Sequence, residues 1–208
     1  ETLEINYNIP GSKDIFTKLT FQDNSIIVSQ SSFEVVYSNY EYSQINNQEI
    51  VGFTSGTTEP PYIQPYNEYP FKGWGEMSIF HSSDGILDKP IFLVDGFDPS
   101  DSRNIEAIYA QLNYSGGNLG DTVRAQGFDV VVLNFPTYFR EEDQVWIYGG
   151  ADYIERNAML LVELIKFINN SKVGDEKNIV IGPSMGGLIS RYALNYMERQ
   201  NIDHDTRL

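Results

Sequence analysis

Apolar and polar residues alternate in short runs along the first 85 residues of the chain. The alternation is clearest over residues 3–7, 25–28 and 33–37, and turn residues bound each run. A period of two predicts β-strands with one buried face. Residues 56–75 are instead rich in proline, tyrosine and glycine, which disfavours helix and predicts a long aromatic-rich connector. We therefore expect residues 1–85 to form a β-rich N-terminal region that contains this connector.

Beyond residue 85 the strands lose their alternation, and helical patterns separate them. Continuous apolar runs cover residues 91–94, 130–133 and 179–181, as in strands that are buried on both faces. Apolar residues at steps of three and four predict helices over residues 119–126, 154–168 and 188–199. Strands that alternate with helices are typical of a parallel sheet covered on both faces. We expect an α/β domain over residues 86–208.

The charge balance narrows the class of partner. The chain has 208 residues and a formal net charge of −15, which sets up a negative field. Such a field repels nucleic acid phosphates and anionic lipid headgroups. Nucleic acid is therefore not an expected partner, and since no run of about 18 apolar residues occurs, no transmembrane segment is expected.

The N-terminal composition bears on the cellular location. The sequence has no cysteine, which excludes disulfides and thiol chemistry. It begins at Glu1, and its early part is rich in Asn, Ser and Tyr, as in an exported protein whose signal peptide has been removed. We expect a secreted or cell-surface protein.

The segment Gly182-Pro183-Ser184-Met185-Gly186-Gly187 lies between a predicted buried strand and a predicted helix. A nucleophilic serine on such a sharp turn needs small residues two positions before and after it. Gly182 and Gly186 occupy those positions, and the start of the following helix stabilises negative charge near Ser184. We interpret Ser184 as a nucleophile. The alternative is a glycine-rich turn in which Ser184 caps the helix.

A second donor for the oxyanion should come from the loop that follows an earlier strand. Asp95-Gly96-Phe97 directly follows residues 91–94, so the N–H groups of Phe97 and Met185 are the predicted pair. The alternative is a plain acidic turn. The spacing of Asp95, Asp98 and Asp101 does not fit a calcium loop, so a solvated acidic loop without metal is expected, and no cofactor is predicted.

From about residue 88 to its end the chain resembles the α/β-hydrolase superfamily, in particular secreted lipase-like and esterase-like proteins with a G-x-S-M-G-G turn. The resemblance implies a partial α/β-hydrolase fold preceded by the β-rich region. Many such enzymes carry His at the position of Pro183 and a His-Gly pair where this chain has Asp95-Gly96.

The resemblance also implies a triad acid and histidine that follow the serine along the chain. His81 and His204 are the two histidines present, and we expect both at the surface and far from Ser184. The acid and the base are therefore expected beyond residue 208, in the C-terminal part of the same protein. The sheet would then end beside residues 179–181, at an edge that is either uncovered or paired with a foreign strand.

The segment after Leu133 should line the pocket, because loops after strand carboxyl ends form the pocket in open α/β sheets. With Asp95 and Gly96, its aromatic residues are the predicted pocket wall: Tyr138, Phe139, Trp146 and Tyr148. Such a wall suits an acyl chain, an aryl ester or a sugar ring, while ordinary loop packing is the alternative.

The sequence thus favours a serine hydrolase that cleaves small-molecule, lipid or glycan esters. The competing hypothesis is a non-catalytic module that binds glycans or proteins on a hydrolase-like scaffold. Nucleotide binding is disfavoured, because residues 115–120 match neither a P-loop nor a dinucleotide-binding motif.

Overall fold

The computed structural model describes residues 11–21, 25–35, 50–56 and 71–207. The chain divides into two compact units, Glu1–Glu41 and Tyr42–Leu208. The division therefore falls well before the boundary that we predicted at residue 85. Two strands from residues 1–85, which we predicted to be separate from the α/β domain, belong to the sheet of the second unit. The predicted strand at residues 3–7 and most of the predicted connector lie outside the described residues.

In the first unit, two long strands form an antiparallel hairpin. Strand β1 (Gly11–Thr20) pairs with strand β2 (Ile26–Val35) in a register that joins Gly11 to Val35 and Thr20 to Ile26. The two short strands predicted over residues 25–28 and 33–37 are thus parts of one strand. The apolar side chains of Ile26 and Val28 are exposed.

The second unit is built on a five-stranded mixed sheet. The five strands are β3 (Val51–Thr54), β4 (Trp74–Phe80), β5 (Pro90–Val94), β8 (Asp129–Asn134) and β11 (Ile179–Ile181). They lie in the order β11-β5-β8-β4-β3. Strands β11, β5 and β8 are parallel, whereas β4 and β3 extend the sheet by antiparallel pairing. The three predicted strands are confirmed as the parallel part of this sheet, and β5 and β8 are buried as predicted, whereas β11 is not, with Ile181 40% exposed.

Helices cover both faces of the sheet. The four helices are α1 (Ile105–Ala110), α2 (Leu119–Arg124), α3 (Ile154–Ser171) and α4 (Met185–Arg199). The longer pair, α3 and α4, packs on one face, and α1 packs with residues of α2 on the other. Two small hairpins complete the unit: β6 (Asn113–Tyr114) with β7 (Gly117–Asn118), and β9 (Thr137–Arg140) with β10 (Val145–Tyr148).

The central strands have no polar face because both of their faces are covered. Along β8, Val131 and Leu133 belong to the core beneath α3 and α4, while Val130 and Val132 belong to the core beneath α1. All four side chains are at most 1% exposed. Burying each such side chain contributes about 1.5–3 kcal/mol to folding.

The layered mixed sheet, with its strand–turn–helix at Ser184, agrees with the partial α/β-hydrolase fold that we expected. Because the carboxyl ends of parallel strands meet at one edge, the loops after β5, β8 and β11 lie together there. Within the described part of the chain, no helix is long and apolar enough to cross a bilayer.

Candidate active site

Ser184 occupies the sharp turn between β11 and α4. Its backbone dihedral angles are φ 54° and ψ −125°, a conformation that L-residues rarely adopt. Residues held in such conformations cost about 1–3 kcal/mol each and cluster at functional sites. The side chain is exposed and makes no capping hydrogen bond to the helix that it precedes. The alternative of a helix-capping serine is therefore not what the structure shows.

The glycines around Ser184 allow the turn to be this tight. A Cβ atom on Gly186 would lie 2.5 Å from the carbonyl oxygen of Val94 and 2.7 Å from that of Asp95. A Cβ atom on Gly182 would lie 2.6 Å from the backbone nitrogen of Gly187. Both positions face backbone, which cannot move aside as a flexible side chain can. The two glycines therefore have the steric role that the sequence predicted.

Gly96 brings the loop after β5 against the turn. A Cβ atom on Gly96 would lie 3.1 Å from the carbonyl oxygen of Pro183, 3.4 Å from Cβ of Ser184 and 3.9 Å from the backbone nitrogen of Met185. Met185 is the first residue of α4, so its N–H is at the positive end of the helix dipole. This close approach supports the predicted oxyanion pair of Phe97 and Met185, which stays a prediction.

Arg103 stabilises the same loop by hydrogen bonds to two of its residues. Its guanidinium donates from Nε to Oδ1 of Asp95 at 3.0 Å and from Nη2 to Oδ2 at 3.3 Å. Nη2 also donates to the carbonyl oxygen of Phe97 at 3.0 Å. One side chain therefore fixes both the residue before Gly96 and the residue after it.

The Asp95 carboxylate faces Arg103 and is 1% exposed, which corrects our placement of Asp95 in the pocket wall. Burial raises the pKa of Asp95 above its usual range, although the bonds from Arg103 lower it. The hydrogen bonds and charge of Arg103 favour the ionised form of this buried carboxylate, whereas burial opposes it.

The loop is only in part the solvated acidic loop that we predicted, because Asp101 is exposed but Asp98 is buried. Asp98 is 5% exposed and accepts bonds from the Ser102 hydroxyl at 2.9 Å and the Arg103 N–H at 2.8 Å. Although burial raises the pKa of Asp98, these hydrogen bonds lower it below the usual value. Asp101 accepts from the N–H of Thr137 at 2.9 Å. The acids shape the loop because each accepts bonds from within the fold.

The predicted aromatic wall after β8 forms the β9–β10 hairpin, but its residues do not share one face. Trp146 pairs with Phe139 across the hairpin, and their ring centroids are 5.3 Å apart. Trp146 and Tyr148 are 61% and 57% exposed. Since side chains alternate along a strand, Tyr138 points to the opposite face, where its ring lies 6.0 Å from that of Trp74. Phe139, Trp146 and Tyr148 stay candidates for the pocket, whereas Tyr138 packs against the sheet.

Both histidines lie far from Ser184, as predicted, because they are at the amino ends of the parallel strands and Ser184 is at the carboxyl ends. His81 follows β4, whose antiparallel direction carries it to the edge where β5 and β8 begin. The carbonyl oxygen of His204 accepts a bond from Asn178, which directly precedes β11. A surface position was the wrong expectation, because each histidine is only 9% exposed. His81 contacts the buried Asp129 at 3.1 Å, and Nδ1 of His204 accepts from the N–H of Thr206.

Strand β11 is the outermost strand on its side of the sheet, next to β5, and the residue directly before it is paired on the outer side. Asn178 and Thr206 form a parallel bridge, in which the N–H of Asn178 donates to the Asp205 carbonyl at 2.7 Å. The N–H of Arg207 in turn donates to the Asn178 carbonyl at 2.9 Å. Within the described residues, Ile179–Ile181 pair only with β5, so the predicted open edge beside residues 179–181 is confirmed, and the bridge lies one residue before it.

Comparison with known proteins gives two structural likenesses. A protein of Agrobacterium vitis S4, named only provisionally as a hydrolase, superposes with a TM-score of 0.45 at 16% identity, over 76% of this chain and 49% of its own. A protein of Xanthomonas campestris, described as an α/β serine hydrolase without a lid, gives a TM-score of 0.43 at 13% identity, over 75% of this chain and 60% of its own. This chain thus spans about half to three fifths of their lengths. No protein-family model and no curated protein matches the sequence.

Proposed function

We propose that this chain carries the nucleophile and the oxyanion site of a serine hydrolase that cleaves carboxylic esters. The observation that carries the proposal is the backbone of Ser184, held at φ 54° with its side chain exposed and not capping the helix. A structural serine at a helix start would gain about 1 kcal/mol by capping. Because the backbone of Ser184 is strained and its side chain gains no capping hydrogen bond, we favour a reactive role for Ser184.

In the proposed reaction, Oγ of Ser184 attacks the carbonyl carbon of the ester while a histidine accepts its proton. The N–H groups of Phe97 and Met185 hold the resulting oxyanion, each worth about 3 kcal/mol in the transition state. The oxyanion collapses, the alcohol leaves with the proton from the histidine, and water then hydrolyses the acyl-enzyme.

The histidine in this scheme is neither His81 nor His204, because both lie at the far edge of the sheet. We propose that the base and its acidic partner lie beyond residue 208. The isolated parallel bridge between Asn178 and Thr206 supports this, since it shows that the outer side of the chain leading into β11 accepts parallel pairing.

For the substrate we propose a small-molecule, lipid or glycan ester whose apolar or ring-shaped part rests on the exposed face of the β9–β10 hairpin. Trp146 and Tyr148 offer exposed rings at the edge of the sheet where Ser184 also lies. We also propose an extracellular location, on the grounds of the N-terminal composition, which is rich in Asn, Ser and Tyr.

The test is covalent labelling of the intact protein with a fluorophosphonate, followed by peptide mass spectrometry. We expect the label on Ser184 and its loss in Ser184→Ala. Ser115→Ala is the matched control, since Ser115 is an exposed serine in another turn. Absence of label in intact protein with a native circular dichroism spectrum would contradict the proposal and favour the non-catalytic binding module.

A further inference from the structure

A groove follows the outward face of α4, beginning one turn after Ser184. Its volume is about 430 Å³. It is lined by Ile154, Leu188, Arg191, Tyr192, Asn195 and Arg199. Except for Ile154, the first residue of α3, every lining residue belongs to α4, so both walls belong to rigid helices.

The lining residues form two parallel rows. Arg191, Asn195 and Arg199 follow each other at steps of four residues, so they form one row of hydrogen-bond donors along the helix. At 1.5 Å per residue the two arginines are about 12 Å apart along the axis. Leu188 and Tyr192, also four residues apart, form an apolar row beside them, and Leu188 is 56% exposed.

The two arginines of the groove differ from all the others in the chain. The sequence contains seven arginines, and five of them form ion pairs with carboxylates. Within the described residues, Arg191 and Arg199 form none. Glu198, which is adjacent to Arg199 in sequence, instead lies 3.6 Å from His204.

Two unpaired guanidiniums on one groove are unusual in a chain with 29 acidic and 14 basic side chains. Because neither guanidinium pairs with a carboxylate of the described residues, both can donate to an external anion. At physiological ionic strength, salt screens charges that are more than about 8–10 Å away. The negative charge elsewhere on the protein therefore does not prevent an anion from pairing with these arginines.

We propose that this groove binds an acidic peptide segment of a partner protein, with two carboxylates about 12 Å apart and an apolar side chain between them. A small anion could neutralise only one of the two arginines. In an extended peptide, two acidic residues four positions apart span about 13 Å, which matches the arginine row. The side chain between the acidic residues then lies on Leu188 and Tyr192.

The experiment uses a fluorescent, end-capped heptapeptide with two glutamates separated by three residues, the central one leucine, and measures anisotropy against the intact protein. We expect saturable binding that weakens as salt is raised. Arg191→Ala and Arg199→Ala should each raise Kd by about fivefold, the effect of one exposed ion pair. Arg207→Ala, an exposed arginine paired with Glu176, is the matched control and should leave Kd unchanged.

Three results would overturn the proposal. The first is equal binding of a peptide with both glutamates replaced by glutamine. The second is competition by acetate alone at the peptide's concentration, which would indicate a site for a single small anion. The third is arginine-dependent binding to phosphatidylglycerol vesicles without binding to the peptide, which would indicate a membrane surface. Thermal unfolding of each variant distinguishes loss of binding from loss of fold.

Discussion

Gly96 lies so close to Ser184 that a Cβ atom at position 96 would sit 3.4 Å from Cβ of the serine. The same atom would be 3.1 Å from the carbonyl oxygen of Pro183, which is tighter than ordinary contact. The loop after β5 and the turn after β11 therefore meet so closely that a methyl group at position 96 would press on the turn.

Gly96→Ala tests whether this gap serves the chemistry. The methyl group would push the loop away from Ser184 by a few tenths of an ångström, which misaims the N–H of Phe97. We expect the rate of fluorophosphonate labelling to fall about tenfold, a common effect of small misplacements at an oxyanion site. The measurement is the second-order rate constant of labelling in the intact protein.

The control for this substitution is Gly117→Ala. Gly117 lies in the β6–β7 hairpin, and its added methyl would meet the tip of the Tyr114 side chain at 3.2 Å. The labelling rate should not change in this variant. Equal rates for wild type and Gly96→Ala would show that the loop is not part of the site.

Gly186 has a steric role, so replacing it should lower the stability of the fold. In Gly186→Ala the methyl would lie 2.5 Å from the Val94 carbonyl oxygen, in a place where only backbone could move. We expect the free energy of unfolding to fall by about 2–3 kcal/mol, measured by urea denaturation. Leu188→Ala in the same helix, at a side chain that is 56% exposed, should change it by less than about 0.5 kcal/mol.

Much of the fold followed from the sequence because its signals were local. Each of these signals occupies only a few consecutive residues. They are the apolar runs of β5, β8 and β11 and the glycines around Ser184. Strand β4 was not predicted, since Trp74–Phe80 directly follows the proline-rich segment and its strongest partner, β8, is some 50 residues away.

The parts of the site that were not predicted depend on contacts between distant residues. Asp95 was placed in the pocket because it follows a buried strand, but its burial comes from Arg103, which no motif marks as its partner. Tyr138 was grouped with Trp146, but the hairpin register, which sets the face of each ring, depends on a turn whose pairing the sequence did not reveal.

Removing Arg103 should strengthen the dependence of stability on pH that comes from Asp95. The pKa of Asp95 is raised in the folded protein, so protonated Asp95 stabilises the fold. This stabilisation is fully present below the pKa of an unfolded-state carboxyl group and is lost as pH rises through the pKa of the folded state. In Arg103→Ala that pKa rises further, because the bonds that lower it are gone. We expect destabilisation of about 2 kcal/mol at pH 7 and much less at pH 4.

The estimate for Arg103→Ala is below that for a fully buried pair because 25% of the Arg103 side chain is exposed. Urea unfolding at several pH values measures the effect. Adding Asp95→Asn to Arg103→Ala should remove the extra pH dependence. An equal loss at pH 4 and pH 7 in the single variant would assign the effect to packing of the arginine stem instead.

Trp146 and Tyr138 lie on opposite faces of one hairpin and should separate substrate binding from folding. Trp146→Ala removes an exposed ring, so the free energy of unfolding should change by less than about 0.5 kcal/mol. If the ring supports the substrate, KM for an aryl ester should rise several-fold while kcat changes little. Tyr138→Ala removes a ring that lies beside Trp74 and should destabilise the fold by about 3 kcal/mol. An unchanged KM in Trp146→Ala, measured alongside Tyr148→Ala, would exclude this face of the hairpin from the pocket and leave its rings as ordinary surface residues.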